Sequence, residues 1–297
     1  MLVEMAVADA YAIGWEFARK KQTAPIDFSG FVQHPTYIEL KPGQYTDDTQ
    51  RAIANCMVMV ERERPMDLFN PYTYAEAYLR AYRADPREGY SRGYQTFLKN
   101  VADADNFIMD ISRTKISNGS LMGVAPLGLL PTIEMIKLAS TIQAISTHHP
   151  ATAIHAQLIS LAVHYFNKGL GHKAYLKDWL VNNADWIDSN DDAYRWCYLV
   201  DTHDTGLGTS IKASSISSYM VYALSTFDTM SEIIYDAINR GGDTDSAAAV
   251  TIAVASCCDE IENDIPQHLI EAMDEANPGF GVDFLNSLEA EVRRLHQ

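Results

Sequence analysis

Apolar residues recur at three- and four-residue intervals through most of this chain, while the two-residue alternation of a half-buried strand is nearly absent. Over 151–167, Ile154, Leu158, Leu161, Ala162 and Tyr165 fall on one face, the pattern of an amphipathic helix. The same spacing predicts helices over 4–19, 48–63, 72–84, 132–146, 213–225, 230–239, 245–258 and 282–295. Two short runs, Phe31-Val32 and Tyr37-Ile38-Glu39-Leu40, read as extended pieces. Pro35 and Pro42 flank the second, and proline cannot donate to a sheet ladder, so a central sheet is not expected. The 201–212 stretch, rich in Gly, Thr, Asp and Ser, reads as a loop. No internal repeat, low-complexity tract or linker interrupts the pattern. The expectation is one compact all-α domain spanning 1–297, with Trp179, Trp186 and Trp196 in its core.

A chain of 297 residues buries about three quarters of the surface its unfolded form exposes, so it needs neither metal nor disulfide merely to fold. Its four cysteines, Cys56, Cys197, Cys257 and Cys258, form no CxxC pair. Cys257 and Cys258 close an apolar run and read as helix-buried thiols, the usage of a reducing compartment. Lys plus Arg number 23 against 39 Asp plus Glu, a net charge of −16. That balance excludes a broad nucleic-acid footprint, which requires a basic face. The clearest uncharged apolar run, 247–258, falls short of the roughly 20 residues needed to span a bilayer. Met1-Leu2-Val3-Glu4 lacks the basic start of a signal peptide. A soluble, cytoplasmic protein without nucleic-acid or membrane partners is expected.

Two acidic knots lie far apart in the sequence. Gln44-Tyr45-Thr46-Asp47-Asp48-Thr49-Gln50 precedes the helical pattern of Ala52, Ile53, Cys56, Met57 and Val60. Asn239-Arg240-Gly241-Gly242-Asp243-Thr244-Asp245-Ser246 precedes a run of alanines. Each places acids and hydroxyls where a helix begins, and capping with favourable helix-dipole interaction accounts for one acid apiece. Adjacent carboxylate pairs are different, because they repel unless a cation or proton intervenes. Thr46, Asp47, Asp48, Asp243, Asp245 and Ser246 together offer four carboxylates and two hydroxyls. Such hard oxygen donors suit Mg²⁺ or Mn²⁺ rather than zinc. Gly241-Gly242 permits a sharp turn just before the second set. Two separate helix caps and one shared metal site are both compatible with these residues alone.

Five segments in order resemble the ADP-ribosylglycohydrolase family, which includes ADP-ribosylarginine hydrolases and the dinitrogenase reductase-activating glycohydrolase. Ala8-Asp9-Ala10-Tyr11-Ala12-Ile13-Gly14-Trp15-Glu16-Phe17 resembles the family's GDALGxxxEF opening. Tyr45 to Gln50 matches its YTDDTQ. Ser117-Asn118-Gly119-Ser120-Leu121-Met122 resembles GNGSxMR, with a fitting Ala125-Pro126-Leu127-Gly128 behind it. Thr147-His148-His149-Pro150 resembles a Thr-His segment, and 239–246 matches Asn-x-Gly-Gly-Asp-Thr-Asp followed by Thr or Ser.

The resemblance implies an all-helical fold around a two-metal centre, usually Mg²⁺ or Mn²⁺. Its ligands would be Thr46, Asp47 and Asp48 with Asp243, Asp245 and Ser246. Glu16, Asp47 and Asp245 would be the catalytic carboxylates. Glu16 would handle the proton of a water, its alternative being a surface acid between two core aromatics. Asp9 has two readings, a site carboxylate or a structural residue within a helix. Ser117, Asn118, Gly119, Ser120 and Met122 would contact diphosphate or ribose, the alternative being a plain turn. His148 would contact phosphate or the distal ribose, or merely open a helix. Gly206-Leu207-Gly208 is a weaker candidate for adenosine.

The chain also departs from the family pattern. Ala8 and Ala12 replace glycines, and Gly123 stands where many relatives carry Arg. Val254-Ala255-Ser256-Cys257-Cys258 replaces a Gly-rich tail. Arg87-Glu88-Gly89-Tyr90-Ser91-Arg92 shows no clear counterpart of the acid in some arginine-specific relatives. The expected activity is metal-dependent cleavage of an ADP-ribose glycosidic bond, first on modified arginine of proteins. The alternatives are O-linked or small ADP-ribosyl substrates, or ADP-ribose binding without turnover.

Overall fold

This computed structural model describes residues 1–18, 21–61, 65–111, 115–187 and 191–296. Fourteen α-helices run through them, joined by short loops and 3₁₀ turns. In chain order they begin with α1 (Leu2–Ala12), α2 (Asp47–Val60), α3 (Pro71–Ala84), α4 (Arg92–Asn100) and α5 (Ala104–Ile111). Then come α6 (Ile133–Thr147), α7 (Ala153–Asn167), α8 (Leu176–Asn183), α9 (Asp191–Thr202) and α10 (Ala213–Thr226). The chain ends with α11 (Met230–Arg240), α12 (Thr244–Ala255), α13 (Gln267–Ala276) and α14 (Val282–His296). Among the described residues the only β pairing is an isolated bridge between Thr229 and Glu262. No helix there is long and apolar enough to cross a membrane.

The nine helices expected from periodicity are all present, with shifted ends. The 4–19 helix stops at Ala12 and passes into a 3₁₀ turn, Ile13–Trp15, while Arg19 lies outside the described residues. The helix at 48–63 ends at Val60, and Arg62 and Glu63 lie outside the described residues. That at 245–258 ends at Ala255, so Cys257 and Cys258 sit in the following turn as free thiols. The loop expected over 201–212 begins only after α9 and a 3₁₀ turn, at Gly206. The extended pieces near 31–40 form no sheet; they belong to an irregular strap. Trp196 is fully buried, and Trp179 and Trp186 pack partly buried against the core.

Helix α12 is buried at every position, and α1 at every position but Glu4. A helix without a polar face belongs inside a fold, and these two pack along each other at the centre. Ala8 and Ala12, the two departures from glycine, are completely buried in α1. Helix α2 packs on α1, α12, α3 and α14, while α7, α10 and α11 close the far side of α12. The C-terminal end of α1 is joined to the start of α12 by the Thr244 hydroxyl, which donates to the Ala12 carbonyl at 2.9 Å. This arrangement brings the starts of α2 and α12 to the end of α1.

Candidate active site

The two acidic knots are the first turns of α2 and α12, and the fold sets them face to face. Thr46 and Asp243 occupy the N-cap positions, yet neither side chain caps its own helix. For α2 the capping carboxylate comes from α1. Asp9 accepts the Thr46 and Thr49 amide N–H groups at 3.0 and 3.1 Å and both hydroxyls at 2.7 Å. Across the gap, the Ser246 hydroxyl reaches an Asp48 oxygen at 3.4 Å. Asp9, Asp47, Asp48, Asp243 and Asp245 are all buried.

Their carboxylate oxygens form two trios, Asp9 with Asp48 and Asp245, and Glu16 with Asp243 and Asp245. In each the oxygens lie within 4.8 Å of one another, and Asp245 belongs to both. Glu16 Oε2, Asp48 Oδ1 and Asp245 Oδ1 are buried without a hydrogen-bond partner. Buried acceptors are normally satisfied, and unpaired buried carboxylates are costly. A hard cation satisfies such a donor set, so the residues present fit a metal site. Asp47 stands apart from the trios, its Oδ2 receiving the Arg51 Nε–H at 3.2 Å. Gly89 lies against the first knot with φ +105°, where a Cβ would come within 2.7 Å of Asp47 Oδ1. Gly242, at φ +88°, leaves no room for a side chain beside the Thr209 carbonyl.

Glu16 follows the 3₁₀ turn at the end of α1 and is buried, while its neighbour Phe17 is 59% exposed. The two residues thus reverse the arrangement of a surface acid between core aromatics. Phe17 adopts a left-handed φ of +45°, and its N–H donates to the Gly242 carbonyl at 2.8 Å. This strained peptide fixes Glu16 against the second knot. His34 secures it from the other side. Its Nδ1 accepts the Thr36 and Tyr37 N–H groups, so Nε2 carries the proton and donates to the Glu16 carbonyl at 2.8 Å. The Tyr37 hydroxyl faces the Glu16 carboxylate.

The Ser117-Asn118-Gly119-Ser120 loop is tied to both knots. Asn118 Nδ2 donates to Asp243 Oδ2, and the Gly119 carbonyl accepts the Arg51 Nη1–H, both at 2.9 Å. His148 meets the Ser117 hydroxyl at 2.9 Å through Nε2. Burial, reinforced by Arg51 and His149, pushes this imidazole down to about 3, so it is neutral at physiological pH. Ser120 donates to the Thr152 hydroxyl at 2.7 Å, and Met122 is half-buried just beyond. Gly123 lies on the α2 backbone at Arg51, where any Cβ would collide, so no arginine fits at this position. The Gly206-Leu207-Gly208 loop leads into Thr209, which bonds the Gly241 carbonyl.

Arg51, His34, Tyr37 and Gly89 were not singled out from the sequence, because the contacts of Arg51 with the Gly119 carbonyl and of His34 with the Glu16 carbonyl join residues distant in the chain; Thr49 lies in the first knot, but its bond to Asp9 was not legible there. Asp9 was visible, but its capping of α2 was not.

Burial holds the cluster's carboxyls above their ordinary range. Asp47 is pushed up from 3.8 to about 6, its burial outweighing the opposing Arg51 charge. Burial and neighbouring carboxylates raise Glu16, Asp48 and Asp245 further. The folded protein without cations therefore binds more protons than the unfolded chain above the ordinary carboxylate range, and loses stability as pH rises through 6. Its melting temperature in chelator should fall between about pH 5 and pH 8, with Mg²⁺ flattening the slope. An identical slope with and without Mg²⁺ would contradict a cation at this cluster.

The sequence model of the ADP-ribosylglycohydrolase family matches residues 1–297. A protein of Acanthamoeba polyphaga mimivirus, provisionally named an ADP-ribosyl glycohydrolase, is 26% identical over 288 residues, covering 84% of this chain and 82% of its own. A solved structure described as an ADP-ribosylglycohydrolase-related protein complex superposes with a TM-score of 0.70 at 20% identity, covering 100% of this chain and 96% of that one. The helical fold is thus shared with that structure. With the family matched from end to end and its acidic motifs assembled into one buried cluster, the chain belongs to the ADP-ribosylglycohydrolase family, hydrolases of ADP-ribose glycosidic bonds.

Proposed function

We propose that the chain removes ADP-ribose from modified arginine of proteins, using two divalent cations, Mg²⁺ or Mn²⁺. The observation that carries the two-cation reading is the pair of carboxylate trios sharing Asp245. Thr46 and Ser246 add hydroxyl oxygens at its edges, and Asp47 and Asp243 complete the two knots. Bound cations would supply Lewis acidity toward the ribose hydroxyls and an attacking water.

Cleavage at the anomeric carbon passes through an oxocarbenium-like state. The cluster's carboxylates stabilise that positive charge electrostatically. Glu16, held at its carbonyl by His34 and with the Tyr37 hydroxyl beside its carboxylate, accepts the proton of the incoming water. The water oxygen bonds to the anomeric carbon, the carbon–nitrogen bond breaks with its electrons passing to nitrogen, and arginine leaves. The loop of Ser117, Asn118, Gly119 and Ser120, with Met122 and His148 beside it, holds the diphosphate and its riboses.

The shortage of acids supports the arginine linkage. Once cations bind, the carboxylates are ionised acceptors, and His148 is neutral with its Nε2 against Ser117. A guanidinium already carries the proton its departure requires, whereas an alkoxide leaving group needs one delivered. With Mg²⁺ present, ADP-ribose should be released faster from arginine-linked than from serine-linked peptides. Faster serine cleavage would overturn the arginine assignment, and tight ADP-ribose binding with no release from either would point to a binding protein.

A further inference from the structure

Arg51 is buried, and a buried guanidinium must find paired charge and acceptors. Its Nε faces Asp47 Oδ2 at 3.2 Å and its Nη1 faces the Gly119 carbonyl at 2.9 Å. The rings of Tyr94 and Tyr90 lie 4.4 and 5.0 Å from its centre, giving cation–π contact that fixes the guanidinium plane. Because the guanidinium is rigid and planar, those two nitrogens hold Asp47 and the 117–120 loop in one relative position. Gly119 lets the group come close: a Cβ there would lie 3.1 Å from Arg51 Nη1. The positive charge therefore sits directly behind the loop. Asn118 ties the same loop to Asp243, so it is anchored to both knots.

We infer that Arg51 is a positioning residue that couples cation binding at the carboxylate cluster to occupation of the 117–120 loop by the diphosphate of ADP-ribose. The inference rests on the proposed placement of ADP-ribose on that loop. A cation fixes the first knot and with it Asp47; through the guanidinium, Asp47 fixes the Gly119 carbonyl and with it the loop. By linkage, ligand on the loop tightens the cation by the same factor. A merely structural arginine would lower stability without affecting that factor.

The test is Mn²⁺ affinity, measured by electron paramagnetic resonance with and without saturating ADP-ribose, for wild type, Arg51→Lys and Arg51→Gln. Any direct contact between ADP-ribose and the cation contributes to all three proteins, so differences in the tightening factor report Arg51. Lysine keeps the charge and loses the fork, so the tightening should shrink by about fivefold or more, within the range of ordinary coupling energies. Glutamine should lose it further and weaken Mn²⁺ alone. If glutamine fails to fold, lysine decides, and the same factor can be read from ADP-ribose affinity with and without Mn²⁺. An unchanged factor in Arg51→Lys, even with a lower melting temperature, overturns the inference and leaves the substrate reading intact. Failure of wild type to bind ADP-ribose in the presence of Mn²⁺ overturns both.

Discussion

Asp245→Ala is expected to eliminate measurable hydrolysis and to weaken divalent-cation binding by at least about a hundredfold, since even residues behind a metal ligand cost about 10–100-fold when removed. Asp245 is the carboxylate common to both oxygen trios, so its loss opens both at once. The substitution also removes a buried negative charge from among Glu16, Asp243 and Asp48. The chelated variant should therefore lose less stability than the chelated wild type as pH rises, because one source of repulsion is gone. Weaker cation binding together with that shallower loss would mark a residue retained for chemistry at the expense of folding. Calorimetric titration with Mg²⁺ and thermal melts in chelator measure both. Wild-type cation affinity in the variant would dismiss the shared-ligand role.

Glu16→Gln separates two duties of one carboxylate. As acceptor of the water proton, Glu16 should contribute about 10²–10⁴ to kcat, the usual weight of general-base catalysis. Glutamine preserves size and can still meet Tyr37, and the backbone bond from His34 is untouched. ADP-ribose binding should accordingly stay within a few-fold of wild type while kcat collapses. If Mg²⁺ affinity falls as steeply as kcat, Glu16 is a ligand of the second trio rather than a base. A kcat within about tenfold of wild type would remove it from the proton transfer altogether.

Nine helices were legible because their apolar positions recur at helical spacing or, in α1 and α12, run almost unbroken over about three turns. Helices α4, α5, α8, α9 and α13 were not, being only 8–12 residues long with few buried positions each. In α9, Ala193, Trp196 and Val200 face inward while Tyr194 and Tyr198 are exposed, which blurs the stripe. The acidic knots could be read because acids at a helix start are a local pattern. That they meet, and that Asp245 stands between two clusters, depends on α1 packing against α12, which no spacing reveals. His34 stands beside a proline with no motif around it; its value lies in an 18-residue reach to the Glu16 carbonyl. Arg51 lay hidden in a helical pattern because its loop partner is 68 residues away.

The cap that α1 lends to α2 bears on how such a protein changes over time. Two amides and two hydroxyls at the start of α2 are completed by one carboxylate 37 to 40 residues upstream. Tyr45 to Gln50 is therefore not a portable cassette. Grafted into another scaffold, it would begin a helix with Thr46 and Thr49 unsatisfied, and those hydroxyls would turn back to cap their own helix. Position 9 must therefore be inherited together with positions 46 and 49, and a lineage that loses the aspartate of the first helix loses the geometry of the second along with it.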